Sequence, residues 1–210
     1  MNIAIIGAGD LAIQIAHFIK NDTSDNVTCF FDDYKEKGST LEGIKIYGGI
    51  SEVLEHYEKG FFHKVICAIG YNHLNEKKRI CESLSAQNIP FYTFIHSSAI
   101  VDISATIGEG SVIYPGVIID QRVVIGTNTI LNLGVIVSHD TKIGCSNFLA
   151  PNVTIAGFCN IGDCCNIGMT VTVIDNVTVT SNVRIGASSL VLRSINIDGL
   201  YVGSPSVKIK

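Results

Sequence analysis

The chain's absences narrow the field before any motif is considered. No run of eighteen apolar residues occurs in its 210 residues, although 47% of them are hydrophobic, so no membrane-spanning helix is expected. There is no basic excess either. Lys and Arg number 15 against 19 Asp and Glu, and the net charge of −4 argues against a nucleic-acid binder and implies no particular partner. The 7 cysteines, an odd number, include no CxxC pair, so they read as reduced packing residues rather than disulfides or metal ligands, and no metal is expected. Cys164 and Cys165 are adjacent, but neighbours on a strand point to opposite faces. No basic segment or cleavage site precedes the first apolar strand, so neither secretion nor membrane insertion is expected and the chain is read as cytoplasmic.

What is present is a ladder. Every sixth residue from Ile95 to Ile197 is Ile, Leu or Val, among them Ile113, Ile125, Leu131, Val137, Ile155 and Val191. Neither a helical nor a simple strand period produces this, whereas a hexapeptide-repeat parallel β-helix requires it, because each short strand sends one aliphatic residue into a central stack. The residue four places further on is often small or β-branched, as at Ala99, Ser111, Val117, Thr129, Cys159 and Cys165, which suits a crowded interior corner. Three such faces make a coil of about eighteen residues, so positions eighteen apart should stack. A purely mechanical solenoid would need a flat Thr-rich face, and none is present.

Before the ladder the chain opens with a βα unit. Asn2 to Ile6 is a continuous apolar run, as expected for a buried parallel strand, and Gly7-Ala8-Gly9-Asp10 leads into an amphipathic helix to about Asn21. The glycines allow a tight turn, and the free N–H groups of the helix start favour a phosphate. A second strand, Val27 to Phe31, ends in Asp32-Asp33, where a dinucleotide-binding unit carries its ribose-binding acid. A helix from Ser51 to Glu58, a strand at Val65 to Ile69, a helix from about Asn75 to Gln87 and a last strand at Phe91 to Phe94 complete the domain. The literal reading is an NAD site. Ninety-odd residues hold only half of a doubly wound fold, however, which suits a mononucleotide or its sugar diphosphate better, and a ligand-free structural domain stays open. Gly70 and Asn72 follow the third strand and could close the pocket.

Within the ladder, His139 departs from bland coil chemistry. It falls two residues after an inward Val, where coils turn, and Asp140 adjoins it. Asn132 lies on the preceding face, and the residue eighteen positions beyond His139 is Gly157. A glycine stacked over a histidine leaves a backbone N–H beside a potential base. His96, in the first hexad, reads as a structural group.

Taken together, the Gly7 to Gly9 opening, Asp32-Asp33, Ile69 to Asn72, Ile95 to Ala99, Asn132, His139-Asp140 with Ile143-Gly144, Gly157 and the closing Val202 to Pro205 resemble a known family. It comprises the two-domain left-handed β-helix acyltransferases of nucleotide-linked amino sugars and the related sialic-acid O-acetyltransferases. The resemblance implies an α/β half-Rossmann nucleotide-sugar-binding domain at 1–94 and a left-handed parallel β-helix acetyltransferase domain at 95–210. It implies acetyl-CoA as cosubstrate and a homotrimer with active sites between subunits. His139 would be the general base, Asp140 its partner, Gly157 the amide donor to the thioester carbonyl, and Asn132 a polar residue placing the acceptor. Gly7, Gly9, Asp10, Asp32, Asp33, Gly70 and Asn72 would serve the nucleotide sugar. Phe148 stands where many members have a second histidine near the acetyl group, the cofactor-phosphate contact would shift to Lys208 or be lost, and Asp10 stands near the phosphates where Gly followed by His or Gln is usual. The implied reaction is N-acetylation of a UDP-linked 4-amino-4,6-dideoxy sugar for surface glycans such as lipopolysaccharide or capsule. GDP- or dTDP-linked amino sugars, and O-acetylation of sialic acid, are the alternatives.

Overall fold

The computed structural model describes residues 1–210, which contacts divide into Met1–Phe94 and Ile95–Lys210. The first unit is a five-stranded sheet in the order β3-β4-β2-β1-β5, formed by β1 (Asn2–Ile6), β2 (Asn26–Phe31), β3 (Thr40–Leu41), β4 (Ile44–Gly48) and β5 (Lys64–Cys67). β1, β2, β4 and β5 run parallel, and only the short β3 is antiparallel to its neighbour. Ile3 to Ile6 of β1 are fully buried because both faces of the sheet are covered. Ala4, Ile6, Cys29 and Phe31 pack with Val53 of α2 (Val53–Glu58) and with Ile80, Cys81 and Leu84 of α3 (Leu74–Ala86). Strand alternation sends Ile3, Ile5 and Phe30 to the opposite face, where α1 (Asp10–Asp22) buries Ala12, Ile15 and Ile19.

The unit differs from the expected elements in two places. The strands at 40–48 were not expected, because a hairpin whose turn is Glu42-Gly43, both at positive φ, leaves only a short apolar signal. The strand expected at Phe91 to Phe94 splits into a single parallel bridge between Val65 and Phe91 and a separate two-residue strand, Phe94–Ile95, that is a rung of the β-helix. Pro90 has no N–H to extend that ladder and contributes only its carbonyl, which accepts from Val65.

The second unit is a left-handed parallel β-helix. Its strands are mostly two residues long and pair in three sheets at an offset of eighteen, as in Ile118↔Ile136↔Thr154 and Val124↔Lys142↔Asn160. Every sixth residue from Ile113 to Val191 is at most 4% exposed, which is the predicted stack. The backbone that turns each corner is also periodic, with every sixth residue from Arg122 to Ser188 at positive φ. The small corner residues do more than fill space. Thr129 Oγ1 donates to Gly144 O (2.8 Å) and accepts from Asn147 N (3.1 Å), and Ser111 and Asn147 repeat the pattern one coil before and one coil after.

The ladder fails at its ends. Ile197 is exposed, because the last coil is shortened: Val179 bridges Ile195 and Val183 pairs with Gly199, offsets of sixteen, so that Ile195 turns inward instead. Ile95, on the first rung, is also exposed.

Candidate active site

His139 stands on a corner of the β-helix between the rung Ile136–Val137 and the rung Lys142–Ile143. The coil geometry brings three neighbours to it. From its own corner, Asp140 adopts the positive-φ conformation and lies 2.9 Å from His139 Nδ1 through Oδ2. From the following coil, Gly157 lies over the ring, so closely that a Cβ at 157 would sit 2.7 Å from Cε1 and 2.9 Å from Nε2. Only a glycine leaves room for the imidazole. Phe158 completes that side with an edge contact to the ring at 5.1 Å.

The preceding coil supplies groups that sequence reasoning did not single out. Arg122 meets Asp140 in bidentate fashion, Nε to Oδ1 at 2.6 Å and Nη2 to Oδ2 at 2.8 Å, and Asp120 Oδ2 accepts from the His139 backbone N–H at 3.2 Å. The signal for Arg122 was present, since it lies eighteen residues before Asp140. The Arg122 guanidinium, followed by the His139 contact, holds the Asp140 carboxyl far below the usual carboxylate range. An ionised carboxylate only accepts, so Nδ1 carries the proton in this hydrogen bond and the lone pair of the neutral ring lies on Nε2, beside Gly157. The Gly157 N–H has no acceptor within the chain.

The other expected members of this site are not gathered around His139. Asn132 is buried at another corner and its Oδ1 accepts from Leu133 N (2.7 Å). Phe148 is buried on a rung between Ile130 and Asn166, on a different face. Lys208 is exposed in the terminal strand Val207–Lys208, paired opposite Tyr201. Cys145 is half-buried and no base contacts its thiol.

In the first unit, a cavity of about 460 Å³ opens at the carboxyl ends of β1, β2 and β5. Gly7, Gly9, Asp32, Asp33 and Gly70 line it. Gly7 has φ +97°, and a Cβ there would press on Ala68 O at 3.1 Å, so the turn depends on glycine. Asp32 holds the turn in place by accepting from Ala8 N (2.7 Å) through one oxygen and from Tyr34 N (2.8 Å) through the other. Asp33 Oδ1 accepts from Ile50 N (2.8 Å). The carboxylates therefore shape the cavity before they recognise anything in it. The Gly9 N–H has no acceptor within the chain and lies at the start of α1, an arrangement suited to an anion. Asp10 and Asn72 do not line the cavity. Asp10 is exposed in the first turn of α1, and Asn72 is exposed in the turn Tyr71–His73, from which His73 reaches the cavity instead. Tyr34, Ile50, His73 and Glu76 are lining residues that the sequence did not point to. No cluster of His, Cys, Asp or Glu has the geometry of a metal site.

Comparison with known proteins bears on both sites. Residues 2–84 match the family model of the PglD N-terminal domain. A curated relative from Bacillus subtilis (strain 168), UDP-N-acetylbacillosamine N-acetyltransferase, is 33% identical over 113 residues, 53% of this chain, and the match spans about half (50%) of the relative's length. Among solved structures, a mutant of perosamine N-acetyltransferase from Caulobacter crescentus, in complex with CoA and GDP-perosamine, superposes with a TM-score of 0.92 at 26% identity and covers 99% of this chain and 96% of the other. The acetyltransferase domain of PglB from Neisseria gonorrhoeae FA1090, in complex with acetyl coenzyme A, gives a TM-score of 0.88 at 25% identity over 99% and 98%. The chain thus resembles hexapeptide-repeat sugar N-acetyltransferases along nearly its whole length. No helix is long and apolar enough to cross a membrane.

Proposed function

We propose that this chain is an acetyl-CoA-dependent N-acetyltransferase of a nucleotide-linked amino sugar, cytoplasmic and homotrimeric, with active sites where subunits meet. The observation that carries the reading is the His139 imidazole, with Nδ1 committed to an ionised Asp140 and its Nε2 edge against Gly157, whose N–H is unclaimed. That arrangement can serve acyl transfer to an amine. The amine attacks the thioester carbonyl, an N–C bond forms and the C–S bond breaks. The proton lost by nitrogen passes to His139 Nε2 and from there to the departing thiolate. The Gly157 N–H donates to the carbonyl oxygen as negative charge develops on it. Cys145 has no base to activate it, so no acyl-enzyme is invoked.

The cavity in the first unit suits the nucleotide part, with a diphosphate at Gly7 to Gly9 and sugar or base hydroxyl and amino groups toward Asp32, Asp33 and Gly70. Asn132, which lies away from His139 within one chain, could place the acceptor only from a neighbouring subunit, and Lys208 offers a cation to a cofactor phosphate. Phe148, being buried, offers the acetyl group no polar contact. The first candidate substrate is a UDP-linked 4-amino-4,6-dideoxy sugar destined for a surface glycan. GDP- and dTDP-linked amino sugars belong in the same screen, because the relatives' names include both UDP and GDP sugars. The trimer is supported by the outward side chains of one face, Ile100, Ile118 and Ile136, which are 65%, 38% and 37% exposed and form an apolar row in register.

Isothermal titration with acetyl-CoA, nucleotide amino sugars and NAD, joined to a thiol-release assay, tests the reading. Binding of acetyl-CoA and acetylation of a nucleotide amino sugar are expected. Binding of NAD alone, or equal turnover of free sialic acid, would replace it.

A further inference from the structure

The corner residues at positive φ from Arg122 to Ser188 are mostly Asn, Asp and Ser, which suit that conformation. Two long side chains interrupt the series, Arg122 and Phe158, and they lie one coil before and one coil after Asp140. Arg122 is tied down as well as unusual. Its backbone N–H donates to Ser104 Oγ (2.9 Å), its Nη1 to Gln121 Oε1 (2.8 Å), and its Nε and Nη2 to the two oxygens of Asp140.

We infer that Arg122 is a positioning residue for the acetyl transfer, acting on His139 through Asp140. This rests on His139 being the base. Asp140 alone could rotate about its terminal torsion and offer either oxygen, or neither, to the ring. The planar guanidinium fork fixes the carboxylate plane, so that Oδ2 faces Nδ1 and the ring is held as the tautomer with Nε2 unprotonated. Lysine could supply the charge but not the plane. Of the charged groups around His139, Asp140 meets the ring itself, Arg122 of the preceding coil meets Asp140, and Asp120 of that coil accepts from the His139 backbone N–H, while the following coil presents Gly157 and Phe158. Arg122 also shares the carboxylate's charge, so that less of it acts on a protonated ring.

The test compares Arg122→Gln and Arg122→Lys with the wild type, by steady-state kinetics across pH and by nitrogen NMR of the His139 ring. Arg122→Gln should lower kcat by roughly ten- to a hundredfold with both KM values little changed, as loss of a supporting partner does elsewhere. It should move the acid limb of kcat/KM to higher pH and add signal from the second neutral tautomer. Arg122→Lys should restore the pH limb more fully than kcat. Arg122 is more than half exposed, so neither change threatens folding, and thermal melts check this. A tautomer signal and a pH profile identical to wild type in Arg122→Gln overturn the inference. If no acetyl transfer is found for the wild type, the functional reading fails on its own, and the NMR comparison still decides whether Arg122 sets the ring.

Discussion

Gly157 shows how little freedom the site has at the level of single residues. A methyl group there would fall 2.7 Å from His139 Cε1, and the ring cannot yield without leaving Asp140. Gly157→Ala should lower kcat by about a hundredfold while the fold melts near its normal temperature, the cost expected when a base is displaced by about 1 Å. Unaltered kcat in that variant would detach Gly157 from the chemistry. Asp32 is a second such point, since its carboxylate holds Ala8 and Tyr34 of the cavity wall. Asp32→Ala should raise KM for the nucleotide sugar and leave KM for acetyl-CoA unchanged, and steady-state titration of each substrate reads the difference. The sign of the pH dependence at Asp140 follows from its depressed folded value. The stability it contributes is fully present above the ordinary carboxylate pKa of ~3.9 and is lost only as pH falls through the lower folded one. The urea-midpoint difference between wild type and Asp140→Asn should therefore not shrink between about pH 8 and about pH 5, and should shrink in stronger acid. A difference that shrank already between pH 7 and pH 6, roughly, would contradict the Arg122–Asp140–His139 arrangement.

The coil is the element in which sequence and structure correspond most directly. One aliphatic residue per hexad and a stacking distance of eighteen were enough to place Gly157 over His139 and to bury every rung from Ile113 to Val191. The same arithmetic breaks where the last coil loses two residues, because nothing local marks that Ile195 rather than Ile197 turns inward. Side-chain partners were less legible than stacking. The spacing places Arg122 beneath Asp140, but an Arg on a solenoid corner looks like ordinary surface until its fork is seen on the carboxylate. Asp32 and Asp33 read as ligand contacts, yet their oxygens are engaged first with backbone amides. The corner column likewise read as filling and is a polar ladder. Thr129→Val keeps the shape but strands the Asn147 N–H and the Gly144 carbonyl in the interior, so it should cost about 1–3 kcal/mol in chemical denaturation and leave kcat intact. A loss within experimental error would mean that the column contributes packing alone.

On the scale of the whole molecule, the two units carry separate chemistries, a cavity with a glycine turn in Met1–Phe94 and an imidazole on a coil corner in Ile95–Lys210. Trimer assembly through the Ile100, Ile118 and Ile136 row is open to test by Ile118→Lys, which places a charge in the middle of the apolar row. Sedimentation velocity should then show a monomer where the wild type sediments as a trimer, and acetyl transfer should fall with assembly. A wild-type monomer at micromolar concentration would remove the shared active site. The proposed role of His139 is to take the proton from an amine borne by a nucleotide-linked sugar. It is tested most directly by thiol release from acetyl-CoA with UDP-, GDP- and dTDP-linked amino sugars and the corresponding free sugars, in wild type and His139→Ala. Turnover of a nucleotide-linked amino sugar is expected, falling about 10²- to 10⁴-fold in His139→Ala with acetyl-CoA affinity nearly unchanged. Near-normal turnover in His139→Ala, or a free sugar used as well as its nucleotide-linked form, would contradict it.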